Sequence, residues 1–378
     1  MTVDIPRVLV ADDQSDVLLA LRLLLRGAGL HVDAAASIPE VRAKLESSEY
    51  DLLLMDLNYA RDTTSGAEGL KLLAEVHADD PLLPVLVMTG WGSIDTAVEA
   101  MRRGACGFVP KPWDNEALTT AIRRQVEDGR TLRRNHHRAS REHEEAQAIQ
   151  RALLPMHMPH EDDLTIAAQW KPASTFGGDL YDVTPLTGGR LAISIGDVCG
   201  KGLPAALLMA NVQATVRAFA ALEQSPAHVV TRLNLDLARH TTLRRFVTFF
   251  FGIYHTDTRR LTYSNAGHNP PVVLRTDGST VRLQSGGTVL GALDTSHYDE
   301  GWIDLAPRDR IVLFTDGITE ARTTDDREFG DDALLAVLRE QPAAAEGSAL
   351  IHAVFERAAA FAGGDLQDDA TVVVMSIR

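Results

Sequence analysis

Acidic side chains in glycine-flanked turns supply the chemistry most visible in this chain. In Leu191–Gly202, read as LAISIGDVCGKG, an apolar run leads into Asp197, with Gly196, Gly200 and Gly202 around it. A strand fixes the position of such a carboxylate, and glycines let backbone and a bound ion approach closely. Comparable acids are Asp179 in FGGDLYD, Asp316 in LFTDGITEA and the pair Asp368–Asp369 in QDDATVVV. Hard oxygen ligands without His or Cys partners select Mg²⁺ or Mn²⁺ over zinc. Two such ions sharing carboxylates activate a water for in-line displacement at phosphorus. The four motifs together predict a single two-metal site that hydrolyses a phosphate ester. A second acidic set lies in the first third of the chain, at Asp12, Asp13 and Asp56, with Thr89 and Lys111. Carboxylates meeting in one pocket repel, and a divalent cation relieves that cost. Lys111 adds a point charge and Thr89 a hydroxyl, both suited to a phosphoryl oxygen.

The elements that position these residues can be read from periodicity. Strands are expected at 7–11, 31–35, 51–56, 84–89 and 107–110, alternating with amphipathic helical patterns such as Val17, Leu18, Leu21, Leu24 and Leu25. Alternation of this kind implies a doubly wound five-stranded parallel sheet, with ligands at the carboxyl ends of its strands. Asp12–Asp13, Asp56, Thr89 and Lys111 fall at those ends. Further on, strands come in groups, at 164–170, 190–196, 246–254, 260–265, 271–275, 310–315 and 371–377. Helices are expected at 205–222, 227–241, 331–340 and 347–362, which implies an α+β domain of antiparallel sheets covered by helices. Between the two, Leu118, Ile122, Gln125, Gly129, Leu132, His136, Ala139, His143, Ala146, Gln150 and Leu153 alternate by four and three. They form a weak heptad seam and a candidate homodimer contact. Seven arginines in 123–141 oppose Glu127 and Asp128, which reads as an exposed helix face. Pro155 and Pro159 close the helix. The expected domains are 1–125, a helical coiled-coil linker 126–155, and 156–378.

Composition narrows the function. With Lys+Arg 37 against Asp+Glu 52, the net charge is −15. This argues against a general nucleic-acid binder and suits a protein that holds cations in carboxylate sites. Cys106 and Cys199 are far apart and belong to no metal pattern, so a reducing, cytoplasmic compartment is expected. No uninterrupted apolar run is read as membrane-spanning, and no signal peptide is seen.

Residues 5–125 resemble the receiver domain of bacterial two-component response regulators, because five positions fall on the expected strand ends in order. The resemblance implies that Asp56 is the phosphoacceptor, phosphorylated by a cognate sensor histidine kinase. It further implies that Asp12, Asp13 and Asp56 bind one Mg²⁺, and that Thr89, Lys111 and the rotating aromatic Phe108 sense the phosphoryl group. The loop after Asp56, LNYARDTTSGAEG, is longer than is usual in that family. The second domain resembles the metal-dependent PP2C-like phosphatases, a β-sandwich flanked by helices. The nearest branch is the bacterial one of sporulation and stress-response phosphatases that act on anti-sigma-factor antagonists. The matching segments are AIQRALLP (148–155), PASTFGGDLYD (172–182), GDVCGKG (196–202), NAGHNPP (265–271), TDGITEA (315–321) and QDDATVVV (367–374). This resemblance implies that Asp179 and Asp197 bind the two ions, with Asp197 the bridge and the Val198 carbonyl a further ligand. Asp316 and Asp368 complete one shell, Asp369 being able to exchange roles with Asp368, and Asp182 is a weaker candidate. Lys201 stands where many relatives have histidine. The N-terminal arginine with which larger relatives grip phosphate has no counterpart here.

These features lead to a response regulator whose output is dephosphorylation of phosphoserine or phosphothreonine on a partner, such as a STAS-type anti-sigma-factor antagonist. A non-catalytic phosphoprotein-binding module gated by the receiver is the alternative. GGD at 177–179 is followed by LYD rather than EF, unlike a nucleotide cyclase, and His268 in NAGHNPP reads as part of a turn. No basic helix-turn-helix-sized module follows the receiver.

Overall fold

The computed structural model describes residues 5–59, 66–90, 94–155, 157–159, 161–240, 245–342 and 345–378. Most of the long loop after Asp56, and Thr241 at the end of one expected helix, lie outside the described residues. The chain divides into two compact units, Met1–Glu142 and His143–Arg378.

The first unit alternates β1 (Arg7–Ala11), α1 (Ser15–Gly27), β2 (His31–Ala35), α2 (Ile38–Ser47), β3 (Leu52–Asp56), α3 (Ala67–Asp79), β4 (Val85–Thr89), α4 (Ile94–Arg102) and β5 (Gly107–Pro110). The strands pair in parallel in the order β2-β1-β3-β4-β5. Every side chain of β3 is buried, so it must be central. Alternate residues separate into two cores. Leu9, Leu53, Met55, Val85 and Val87 face Val41 of α2 and Leu73 and Val76 of α3. Val8, Val10, Leu52, Leu54 and Leu86 face Leu21 and Leu25 of α1, together with Leu118, Ile122 and Val126. The last three lie on α5 (Asn115–Leu153), one continuous helix. At about 1.5–3 kcal/mol for each fully buried aliphatic side chain, these contacts commit the start of α5 to the receiver core.

The expected seam is corrected accordingly. Leu118 and Ile122 are core residues of the first unit, and Gly129 is buried where a Cβ would come within 2.5 Å of Pro84. Gln150 is buried in the second unit. Only the middle of the seam, around Leu132 and His136, is exposed.

The second unit contains β6 (Leu164–Lys171), β7 (Leu180–Leu186), β8 (Arg190–Val198), α6 (Leu203–Leu222), α7 (Pro226–His240), β9 (Val247–His255), β10 (Arg260–Ala266), β11 (Val272–Leu274) and β12 (Thr280–Arg282). There follow β13 (Gly286–Gly287), β14 (Gly301–Asp304), β15 (Arg310–Phe314), α8 (Asp316–Thr319), α9 (Gly330–Glu340), α10 (Gly347–Ala362) and β16 (Ala370–Ile377). One sheet has the order β13-β10-β9-β8-β7, with β14 also on β10; the other is β12-β11-β15-β16-β6. Ile311, Leu313, Val373 and Met375 point from the second sheet into the core shared with β8, β9, α6 and α7. Their neighbours Val312, Phe314, Val372 and Val374 point the other way, onto α9 and α10. The result is a β-sandwich with a helix pair outside each sheet.

Sequence patterning missed β7, the short β12, β13 and β14, and the single turn α8. β7 carries Asp182 and Pro185, poor strand formers, and Pro185 is tolerated because β7 is an edge strand of its sheet. One helix bears on the reading of apolar runs, although Asn211, Gln213 and Arg217 interrupt it. α6 is long and apolar enough, by length and composition, to cross a membrane. Here Met209, Val212 and Val216 lie in the sandwich core, and Arg217 pairs with Asp182, so α6 serves as a core helix.

Candidate functional site

In the receiver unit, Asp12 follows β1, Asp56 ends β3 and Lys111 follows β5, so the parallel register brings them to one edge. Ligand atoms of Asp12, Asp13 and Asp56 lie within 4.8 Å of one another. Among the described residues no other group of three or more metal-ligating side chains is so tight. Lys111 Nζ donates to Asp12 Oδ2 at 2.6 Å and to Asp56 Oδ2 at 2.8 Å. Burial raises the pKa of Asp12, against the pull of Lys111. Burial likewise works against the charge of Lys111, but its bonds to the two carboxylates prevail and raise its pKa. Thr89 ends β4, and its carbonyl accepts from the Lys111 amide at 2.7 Å. Phe108 is exposed.

The second site is made by two strand pairings, one in each sheet. In the first sheet β7 pairs antiparallel with β8, Leu180 opposite Gly196. Asp179 and Asp197 are the residues next to that pair, and each lies close enough to feel the other's charge. In the second sheet Phe314 lies opposite Val372, so Asp316 and Asp368–Asp369 emerge side by side. Gly317 is obligatory there, because a Cβ would lie 2.0 Å from the Asp369 carbonyl oxygen.

Hydrogen bonds tie the two halves together. Thr315 and Thr371 each donate a hydroxyl to Asp179 Oδ2, at 2.7 and 2.6 Å. Asp369 reaches back, accepting from the amides of Ala173 at 2.8 Å and Gly178 at 2.6 Å. Asp369 is thus engaged by backbone donors, whereas the Asp368 side chain is 49% exposed and meets Lys201 at 3.0 Å. A Cβ on Gly178 would lie 2.9 Å from the Val198 carbonyl and 3.3 Å from Asp197 Oδ1, so both oxygens face the GGD loop. Gln150 of α5 clamps that loop: its Nε2 donates to the Gly177 carbonyl at 2.6 Å and its Oε1 accepts from the Gly177 amide.

The acids of this cluster raise one another's pKa. Burial, then the charge of Asp197, lifts Asp179 well above the carboxylate range. Burial followed by repulsion from Asp316, Asp368 and Asp369 pushes Asp197 up to about 7. Asp316 is pushed up to about 6, chiefly by burial and by Glu320 and Asp368. Asp179 Oδ1 is buried and has no hydrogen-bond donor. An orphaned buried carboxylate oxygen among mutually repelling acids is the environment a hard divalent cation stabilises. The donor set therefore fits Mg²⁺ or Mn²⁺.

Other candidates fall outside the cluster. Asp182 accepts from Arg217 at 2.5 Å and is occupied structurally. His268 is buried in the NAGHNPP turn, its amide bonded to Asn265 Oδ1 at 2.7 Å, and burial pulls its pKa down to about 4. Thr315 and Thr371 were not singled out from sequence, and Gln150 was read only as a seam position within AIQRALLP. For the threonines a signal existed, since each adjoins an acidic motif, in TDG and in DDAT. Arg245 also escaped notice. It donates to the Cys199 carbonyl at 3.2 Å and lies over Gly200, where a Cβ would come 2.8 Å from its Nη1. An arginine therefore stands at the rim of this site, brought from the β9 side of the fold.

A parallel sheet with an acid–lysine pocket precedes a β-sandwich with a cluster of carboxylates across its two sheets. This is the architecture of a receiver joined to a PP2C-type phosphatase domain. Family comparison agrees: residues 8–123 match the response regulator receiver domain, and residues 187–378 match Stage II sporulation protein E (SpoIIE). The chain belongs to the SpoIIE family. Among its relatives, phosphoserine phosphatase RsbU of Bacillus subtilis is 30% identical over 250 residues, covering 66% of this chain and 74% of that protein. Protein IcfG of Synechocystis sp. is 29% identical over 249 residues, covering 58% of this chain and only 38% of that protein. The SiaA-PP2C domain of Pseudomonas aeruginosa superposes with a TM-score of 0.56 at 21% identity, covering 65% of this chain and 99% of that one, and so supports the fold.

Proposed function

We propose that this chain is a response regulator whose output is metal-dependent removal of phosphate from phosphoserine or phosphothreonine on a partner protein. The observation that carries this reading is the convergence of Asp179, Asp197, Asp316 and Asp368 from both sheets, with a buried carboxylate oxygen lacking a donor. Asp179, Asp197, Asp316, Asp368 and the Val198 carbonyl hold the cations in this reading. Asp369 and the two threonines hold the cage in shape. Bound divalent cations supply Lewis acidity toward water and the phosphoryl oxygens. The chain's own residues then set geometry: Asp197 faces acids from both sheets, and Arg245 offers a guanidinium to anionic substrate groups entering at the rim.

Control is assigned to Asp56, phosphorylated by a sensor histidine kinase with one Mg²⁺ held by Asp12, Asp13 and Asp56. Thr89, Lys111 and Phe108 respond to the phosphoryl group. The support for control is the Gln150 clamp, since the helix that starts in the receiver core ends hydrogen-bonded to the loop before Asp179. The substrate class follows the relative named as a phosphoserine phosphatase, and an anti-sigma-factor antagonist of STAS type is the target proposed. A cytoplasmic location, linker 126–155 and a homodimer seam around the exposed Leu132 complete the picture.

The test is hydrolysis of p-nitrophenyl phosphate and of phosphorylated antagonist proteins with Mn²⁺, and with chelator. Metal-dependent turnover lost in Asp197→Asn is expected. Binding of the phosphoprotein without turnover would favour the non-catalytic module instead.

A further inference from the structure

Lys201 is the one residue of the GDVCGKG turn that carries a positive charge, and the structure shows where that charge goes. Its Nζ lies 3.0 Å from Asp368 Oδ2 and donates to the Gln367 carbonyl at 3.1 Å. We infer that Lys201 is a built-in counter-ion of the carboxylate cage, which an incoming divalent cation must displace from Asp368. On this view Lys201 sets the cation affinity of the C-terminal site. The inference rests on the metal-dependent reading above.

Three observations support it. First, both contacts of its ammonium, the Asp368 carboxylate and the Gln367 carbonyl, belong to the QDD segment that supplies acids to the cage. Second, the pair gains little as a structural ion pair. The Lys201 and Asp368 side chains are 58% and 49% exposed, and exposed pairs contribute little to stability. Third, the turn that carries it is formed by glycines: Gly200 and Gly202 flank Lys201 with φ of +102° and +75°, a conformation that glycine adopts without strain and that leaves the Lys201 side chain 58% exposed. The receiver offers a contrast, because Lys111 lies between two carboxylates with its side chain only 18% exposed. Lys201 touches one carboxylate, at the edge of the cage, where an ammonium and a dication compete for the same oxygen.

The experiment is a Mn²⁺ titration of the full chain, following free Mn²⁺ by electron paramagnetic resonance. All proteins carry Asp13→Ala to silence the receiver's ion. Lys201→Gln, which removes the charge from a largely exposed position, is expected to bind Mn²⁺ about tenfold more tightly than the parent. Raised salt should shrink the difference. Lys201→Arg, which retains the charge, is expected to match the parent. Equal or weaker Mn²⁺ binding by Lys201→Gln would overturn the inference while leaving the phosphatase reading intact. A change in phosphopeptide KM with unchanged Mn²⁺ affinity would also overturn it, making Lys201 a substrate contact. Failure of both the parent and Lys201→Gln to bind Mn²⁺ would remove the cage and this inference together.

Discussion

Asp179 touches both halves of the sandwich: it feels the charge of Asp197 at the end of one sheet and takes hydroxyl bonds from Thr315 and Thr371 in the other. The cost of assembling such acids is visible in their proton affinity. Asp197, pushed up to about 7, and Asp316, pushed up to about 6, hold protons in the fold that the unfolded chain releases near 3.8. The metal-free fold therefore binds more protons than the unfolded chain between about pH 4 and pH 7, and loses stability as pH rises through that window. Calorimetry of chelated protein should show the melting temperature of the second unit falling from pH 5 to pH 7.5, with Mn²⁺ affinity rising over the same range. A flat profile for both would contradict the clustering. Asp197→Asn should lower kcat/KM at least about a hundredfold, while the chelated protein melts no lower than the parent, because one repelling charge is gone. Gly317→Ala should cost about 1–3 kcal/mol in denaturant titration, since its Cβ would meet backbone atoms of Asp369 and Asp368 that cannot turn aside.

Secondary-structure elements act here through their ends. Helix α5 is amphipathic in three different senses along its length: buried against the receiver sheet at Leu118, Ile122 and Val126, exposed around Leu132, and buried again at Gln150. A heptad reading of the sequence merged these because apolar spacing alone does not say which neighbour a face will meet. Gln150 is the residue that makes the last part specific, with two bonds to one glycine. Gln150→Leu leaves the buried Gly177 amide and carbonyl without those partners. It should destabilise the second unit by about 1–3 kcal/mol and weaken Mn²⁺ binding several-fold. Unchanged Mn²⁺ affinity would show that the clamp does not hold the Asp179 loop.

For the whole molecule, the issue is whether a charge change at Asp56 reaches a cage in the other unit. Beryllofluoride should change the phosphatase rate in the parent and leave Asp56→Asn unaffected; equal rates in every case would end the regulatory claim. Inserting one residue after Ser140 rotates the helix beyond it by about 100°. If α5 carries the signal, the insertion should abolish the beryllofluoride response while each unit retains its own metal binding. A response that survives the insertion would point to another route.

Much of this protein was determined by the one-dimensional pattern. Alternating β and α periodicity with acids at strand ends specified the receiver, and TDG, GDV and QDD marked the carboxylates of the cage. Those features are local, because strand ends, glycine turns and side-chain charge are properties of a few adjacent residues. Tertiary structure alone decided which acids crowd and repel one another and which are already satisfied. Asp369 is held by amides 191 and 196 residues away in the chain, Asp182 is claimed by Arg217, and Lys201 rests on Asp368. Hydrogen bonds and ion pairs of that kind depend on sheet register and packing between distant segments, which no local spacing encodes.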